Sequence, residues 1–146
     1  MVMDPAELKE KFTGFVFDEI EIDINADSLV GFATACGETL PKFTNPEDAD
    51  FQGVPNYLTR VHGAQALPKD FPVEMHRCFD AGKSIEFHAP VRQGDKIKGR
   101  SEIADIFEKS GRSGSMLFIV HRMNFYNQGD EHLATVDWRL VQREFD

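Results

Sequence analysis

Polar and apolar residues alternate along residues 15–24, FVFDEIEIDI: Val16, Ile20, Ile22 and Ile24 fall on one side, Glu19, Glu21 and Asp23 on the other. A period of two predicts a half-buried strand. Ahead of it, residues 4–12 suit a short amphipathic helix, capped by Asp4 with Pro5 at its first position. Beyond it the period lengthens. Asn25 or Asp27 caps a helix in which Leu29, Val30, Phe32, Ala33 and Cys36 recur at helical spacing, and Gly37 stops it. Residues 38–55 have no periodicity and are broken by Pro41, Pro46, Gly53 and Pro55. An irregular stretch of that length in a small domain is more often functional, or covered by a partner, than idle.

Residues 56–67, NYLTRVHGAQAL, are expected to form a second helix between Pro55 and Pro68, with Leu58, Val61 and Ala64 on its apolar face. Gly63 in its middle costs about 1 kcal/mol relative to Ala, and the usual reason for such a glycine is the close approach of another backbone or a ligand. From Lys83 onward the pattern is β. Ile85, Phe87, Ala89 and Val91 alternate with Ser84, Glu86 and His88, Gln93-Gly94-Asp95 turns the chain, and a long strand follows at about 96–108. Residues 109–114 read as a hairpin loop, and 115–127 are apolar on both faces, as a covered central strand should be. Ala134, Val136, Trp138 and Leu140 mark one face of a last strand. Meandering strands with one or two helices predict an α+β fold, a twisted antiparallel sheet wrapped on a helix. Such a sheet must cover its faces and its edge, so dimerisation is expected.

Composition narrows the function. At 146 residues the chain is expected to be a single domain over 1–146. With 16 Lys and Arg against 25 Asp and Glu, the net charge is −9, which excludes a general nucleic-acid binder. No apolar run approaches the ~20 residues of a membrane span, and the MVMDPAELKEKF start lacks the apolar segment of an export signal. A cytoplasmic location is therefore expected, with Cys36 and Cys78 as free thiols and Cys36 as a buried helix thiol. No His, Cys or carboxylate cluster has metal-ligand spacing, so no metal is expected. Thirteen Phe against two Tyr and one Trp imply a large aromatic interior or an apolar cavity.

Three segments together resemble the MaoC-like dehydratase family, in particular its N-terminal, dehydratase-like half. They are residues 32–43 (FATACGETLPKF), 53–58 (GVPNYL) and 85–95 (IEFHAPVRQGD). In that family they correspond to a helix end followed by Gly-Asp-x-Asn-Pro-x-His, the start of the central helix, and a strand–Pro–Val–x–x–Gly–Asp turn. The resemblance spans about residues 15–144. It implies a hot-dog fold and (R)-specific enoyl-thioester hydratase or 3-hydroxyacyl-thioester dehydratase chemistry on acyl-CoA or acyl carrier protein. No cofactor is implied beyond that thioester carrier. In such chemistry a carboxylate and an imidazole share one water and add it across a conjugated double bond. A helix N-terminal amide polarises the thioester carbonyl.

Carried over position by position, the family's Gly and Pro fall on Gly37 and Pro41, its catalytic Asp on Glu38, its Asn on Leu40 and its catalytic His on Phe43. A carboxylate one methylene longer is displaced by about an ångström, and a phenyl ring carries no proton. The resemblance is thus to the non-catalytic half, which shapes the acyl pocket beside a partner that supplies the Asp/His pair. Each candidate has a plainer reading beside it. Glu38 is a general base or ordinary surface, and Phe43 a tunnel wall or ordinary core. Asn56 and Tyr57 present amides to a thioester, or simply begin a helix. Arg92, Lys96 and Lys98, with Arg100, form a basic patch for an anionic CoA or a solvated strand face. His62 substitutes for the missing imidazole or is structural, and His88 and His121 are sheet-embedded.

The function expected is a hydratase/dehydratase subunit paired with a second hot-dog chain, a heterodimer being favoured over a homodimer. One alternative is a self-sufficient homodimeric hydratase or thioesterase using Glu38. The other is an acyl-CoA-binding module without turnover. Phe32, Phe43, Phe87, Phe107, Phe118 and Phe125 are expected to wrap the central helix and the acyl tunnel.

Overall fold

The computed structural model describes residues 4–112 and 114–143. Helix α1 (Pro5–Phe12) starts where the Asp4 carboxylate accepts from the amide of Ala6, with Pro5 in the first turn. It buries Leu8 and Phe12. Strand β1 (Val16–Asp23) follows, and its inner face is out of step with the simple alternation at one end. A register shift between Val16 and Asp18 leaves Val16 52% exposed and turns Phe17 onto the core instead. Helix α2 (Ala26–Ala35) is capped by Asn25, whose side chain accepts from Ser28 N at 2.8 Å.

Gly37, at φ +80°, ends that helix. Its amide donates to Thr34 O at 3.0 Å, and the amide of Glu38 donates to Ala33 O at 2.9 Å. These are the two crossed bonds of a Schellman motif, with Gly37 at the left-handed position. Nothing stands within 4 Å of a Cβ built there. Gly37→Ala is therefore expected to cost only the left-handed backbone penalty, about 1 kcal/mol. The urea midpoint should drop at unchanged slope. Cys36, at the helix cap, is exposed rather than buried.

Residues 38–55 contain one short helix, α3 (Pro41–Thr44). The helix expected over 56–67 is not formed. A single 3-10 turn spans Tyr57–Arg60, and another lies at Met75–Arg77. Four strands complete the chain: β2 (Cys78–Phe87), β3 (Lys96–Gly111), β4 (Gly114–Tyr126) and β5 (His132–Arg143). Strand β2 starts five residues before Lys83, and its ladder with β5 is interrupted between Asp80 and Lys83, where Gly82 has φ +95°.

The sheet is antiparallel throughout, in the order β1-β3-β4-β5-β2. Its inner face carries Ile97, Ile103, Met123, Phe125 and Val136, all buried. Leu29 and Ala33 of α2 pack into the same cluster with Phe43, Phe51, Tyr57 and Leu58. A second cluster joins α1 to the far ends of β3 to β5 through Leu8, Phe12, Ile106, Leu117 and Leu140. Gly99 and Phe125 are register partners. A Cβ on Gly99 would stand 3.0 Å from both Phe125 Cε1 and Met123 Cε. The phenyl ring thus covers the glycine of the neighbouring strand.

The phenylalanines divide between the two faces. Phe43 and Phe125 are buried in the core and Phe32 is packed against it. Phe87 is 43% exposed, and Phe107 stacks on Phe118 at 5.0 Å on the face opposite Ile106 and Leu117. These three do not wrap an interior tunnel. The alternation of β3 and β4 turns Phe107 and Phe118 to the outer face, and Phe87 ends the border strand β2.

Candidate functional site

A cavity of about 200 Å³ lies between the irregular segment 61–66 and the inner face of β2, β4 and β5. It occupies the place where the sequence pattern predicted further helix. Val61, Met123, Val136 and the Trp138 ring make its walls apolar, and His62, Lys83 and His121 are its titratable groups. Trp138 is held by a hydrogen bond from Nε1 to Asp80 Oδ1 at 3.1 Å. The His62 ring meets the indole edge-on at 5.5 Å.

Distant side chains hold the segment that roofs this cavity. Lys83 Nζ donates to Thr59 O at 2.8 Å and Val61 O at 3.3 Å, taking carbonyls that a continuing helix would use. Asp18 Oδ2 accepts from the amide of Gln65 at 3.1 Å. Gly63 makes room for that carboxylate, since a Cβ there would lie 2.7 Å from Asp18 Oδ2 and 3.3 Å from Ser101 Oγ. The close approach expected at Gly63 is thus made by a carboxylate and a hydroxyl, not by a backbone.

His121 is the third anchor. Its Nδ1 faces Ala66 O at 2.7 Å, and a carbonyl only accepts, so Nδ1 carries the proton. The unprotonated Nε2 then accepts from the Ser101 hydroxyl at 2.9 Å, and both residues are buried. Burial holds the imidazole below its usual pKa, against the opposing influences of Ala66 O and Asp18. Lys83 is also pulled below the usual lysine range, first by desolvation, with Asp80 opposing.

None of Glu38, Phe43, Asn56, Tyr57, Arg92, Lys96 or Lys98 lines this cavity. Glu38 is half-buried just past the Schellman turn, and its carboxylate has no hydrogen bond or ion pair among the described residues. Phe43 is 7% exposed within the core. Tyr57 is a core residue whose hydroxyl shares a 2.6 Å hydrogen bond with Ser28 Oγ and accepts from Arg60 at 3.0 Å. Its amide already donates to Val54 O at 3.0 Å. Asn56 is exposed and makes no side-chain cap.

The basic residues do not form one free patch. Arg92 braces the loop before the 3-10 turn, donating to Phe51 O and to Asp50 Oδ1 at 3.3 Å each. Lys96, Lys98 and Arg100 lie on the outer face of β3, and the register sets Asp23, Glu21 and Glu19 of β1 directly opposite them. Each cation thus faces an acidic residue across the ladder, and Arg100 closes a 3.4 Å ion pair with Glu19. This face is on the other side of the sheet from the cavity.

The outer face also has a polar hollow around Arg122. Its guanidinium is bidentate to Asp137 at 2.8 and 2.9 Å, with Glu86 and Glu102 close by. His88 and His132 stand 4.6 Å apart, ring to ring, at its rim. Among the described residues no group of three or more His, Cys, Asp or Glu is placed to hold a metal ion. No described helix is long and apolar enough to cross a membrane.

Sequence reasoning missed Lys83, Asp18 and Trp138 as parts of the cavity. Gly63 was the only local signal, a helix-weakening residue that hinted at something packed closely against it.

Residues 11–136 match the family model described as "FAS1-like, dehydratase domain region". No curated protein matches the sequence. Among solved structures, the fold resembles the C-terminally truncated HadBC (3R-hydroxyacyl-ACP dehydratase) complex from Mycobacterium tuberculosis. The TM-score is 0.70 at 20% identity, covering 97% of this chain and 99% of that one. The ChsH1-ChsH2 complex from Mycobacterium tuberculosis gives 0.68 at 16% identity, covering 97% and 89%. The MaoC-like dehydratase from Rhodospirillum rubrum gives 0.63 at 16%, covering 89% and 91%. The cavity under an irregular central segment is thus built on a hot-dog sheet, and the chain belongs to the family described as FAS1-like, dehydratase domain region.

Proposed function

We propose that this chain is the pocket-shaping subunit of an acyl-thioester hydratase/dehydratase, acting in the reversible hydration of a trans-2-enoyl thioester of CoA or acyl carrier protein. The Asp/His pair comes from a second hot-dog chain. One observation carries this reading. At the family's acid–base positions Glu38 has no imidazole beside it, because Phe43 occupies that place and is buried in the core. Neither imidazole of the cavity makes up the loss. His121 has both nitrogens engaged by the fold, and His62 meets Trp138 edge-on and makes no hydrogen bond or ion pair with a carboxylate among the described residues, Asp80 lying close enough only to feel its charge.

Strand β2 ends the sheet, so one side of its backbone has no strand beside it. Phe79 and Phe87 on that strand are 58% and 43% exposed. An uncovered apolar edge is what a partner strand buries. Two of the similar structures are described as complexes of two chains, which agrees with a second hot-dog chain as partner.

The test is hydration of crotonyl-CoA by the purified chain, alone and after co-expression with a hot-dog chain that retains the Asp/His pair. Alone, the chain is expected to show no turnover above buffer, and the pair is expected to restore it. Glu38→Ala should leave the rate of the complex within about threefold, well short of the 10²–10⁴-fold loss that follows removal of a general acid or base. Turnover by the chain alone that vanishes in Glu38→Ala would overturn the reading in favour of a self-sufficient enzyme. Saturable binding without turnover, even with the partner present, would overturn it in favour of a binding module.

A further inference from the structure

Lys83 is a cation facing an apolar cavity in which no aspartate or glutamate takes part in the lining. An ammonium has three N–H groups. Two go to the carbonyls of Thr59 and Val61, and no carboxylate lies within 4.0 Å of Lys83 among the described residues.

Asp80, whose charge acts on Lys83 from beyond ion-pair distance, and Asp18 accept their hydrogen bonds from other donors. Asp80 accepts from Gly82 N at 2.8 Å and from Trp138 Nε1 at 3.1 Å, while Asp18 accepts from Gln65 N at 3.1 Å. The other titratable groups of the cavity are His62 and His121, both bases. The cavity is therefore greasy along its walls and positive at one point, where the ammonium lies 5.6 Å from the Trp138 ring centroid and keeps one N–H without a protein acceptor among the described residues.

A plain hydrocarbon tail bound there would cover the ammonium and leave that donor without a partner, a cost hydrophobic contact alone does not remove. A tail ending in a carboxylate meets it with a charge-assisted hydrogen bond at a half-buried ammonium. At roughly 30 Å³ per non-hydrogen atom, a cavity of about 200 Å³ holds a short tail of about six or seven such atoms.

We propose that Lys83 makes this pocket selective for short acyl groups that end in a carboxylate, the acyl thioesters of dicarboxylic acids. The inference rests on the acyl-thioester reading of the protein and names the substrate class for it. Lys83 is here a specificity residue, remote from the reacting double bond. The apolar walls carry the methylene chain, and the ammonium reads its end.

The experiment compares adipyl-CoA with hexanoyl-CoA by titration calorimetry on the full chain. These probes share a six-carbon tail and differ at its terminus, a carboxylate in one and a methyl in the other. The wild type is expected to bind adipyl-CoA about tenfold more tightly, the scale of one charge-assisted hydrogen bond. In Lys83→Met the ratio should fall to about one. Loss of the Lys83 bonds to Thr59 O and Val61 O loosens the roof and weakens both thioesters alike, so the ratio is the readout, and a cooperative urea transition shows that the variant is folded. Equal binding of the two thioesters by the wild type overturns the assignment of Lys83 but leaves the thioester reading standing. So does a preference that survives in Lys83→Met. If neither thioester binds, to the chain alone or to its complex with the hot-dog partner, both readings fall together.

Discussion

Phe125→Ala should lower the unfolding free energy by about 3–5 kcal/mol, the range for deleting a fully buried phenyl ring. Phe125 is 0% exposed and sits at the centre of the sheet, on β4, against Gly99 of β3 and among Met123, Leu29 and Ala33. Its loss uncovers the backbone of Gly99 as well as opening a hole. A chain of this size should melt about 10 °C lower. Equilibrium unfolding in urea checks the free energy, and a loss below about 1 kcal/mol would mean that the neighbours collapse to fill the space. A second variant separates ring from hole. Gly99→Ala in the wild type pushes a Cβ to within 3.0 Å of Phe125 Cε1, so it should destabilise. In the Phe125→Ala background one of the two 3.0 Å contacts is gone and Met123 can swing into the vacated space, so the same change should cost less. That non-additivity measures the contact directly.

His121→Leu should cost about 2–3 kcal/mol, because it strands the buried Ser101 hydroxyl and frees the carbonyl of Ala66. The cost has a pH signature. Folded His121 resists protonation, since burial lowers its pKa, whereas the unfolded imidazole takes up a proton at about pH 6.5. Below that value the unfolded state binds the extra proton, so the stability contributed by His121 is complete above about pH 6.5 and shrinks as the pH falls toward the folded pKa. The stability difference between wild type and His121→Leu should therefore narrow from pH 8 to pH 5. Urea midpoints of both proteins at the two pH values test this, and a constant difference would show that the folded imidazole titrates normally. The roof of the cavity hangs from the same side chain. Affinity for a short acyl thioester should weaken in the variant at every pH.

Much of the architecture was legible in the chain because local chemistry decides it. Asp4, Asn25 and Gly37 cap and stop helices through their own side chains or backbone freedom, and the alternation from Ile85 onward leaves little choice but strands. Residues 56–67 were misread for a physical reason. Leu58, Val61 and Ala64 satisfy a helical face, yet Leu58 and Val61 pack equally well from a loop against a sheet, with Ala64 left exposed. The bonds that decide between these come from Lys83, Asp18 and His121, all remote in sequence. No window along 56–67 contains them. Val16 was misplaced for a similar reason, since a bulge shifts the alternation and is set by the partner strand. The candidate site was legible at Glu38 and Phe43 only through a family resemblance. The positive charge at Lys83 and the neutralising register of β1 against β3 appear only when the sheet is assembled.

That register also governs the order in which the molecule can fold. Glu19 and Arg100 pair although they lie 81 residues apart, and Cys78 at the other border of the sheet pairs with Gln142. The β3–β4 hairpin is local, its strands turning at Gly111 and Gly114, and β5 joins β4 across another short turn. Long loops close slowly. The hairpin should therefore nucleate the sheet, with β5 adding next and the two border strands arriving last. During synthesis at about 5–20 residues per second, β1 waits on the order of ten seconds for the strand it pairs with. For that interval its isoleucines have no sheet to join. The alternating carboxylates that later answer Lys96, Lys98 and Arg100 keep the unpaired segment charged and discourage it from pairing with another copy of itself.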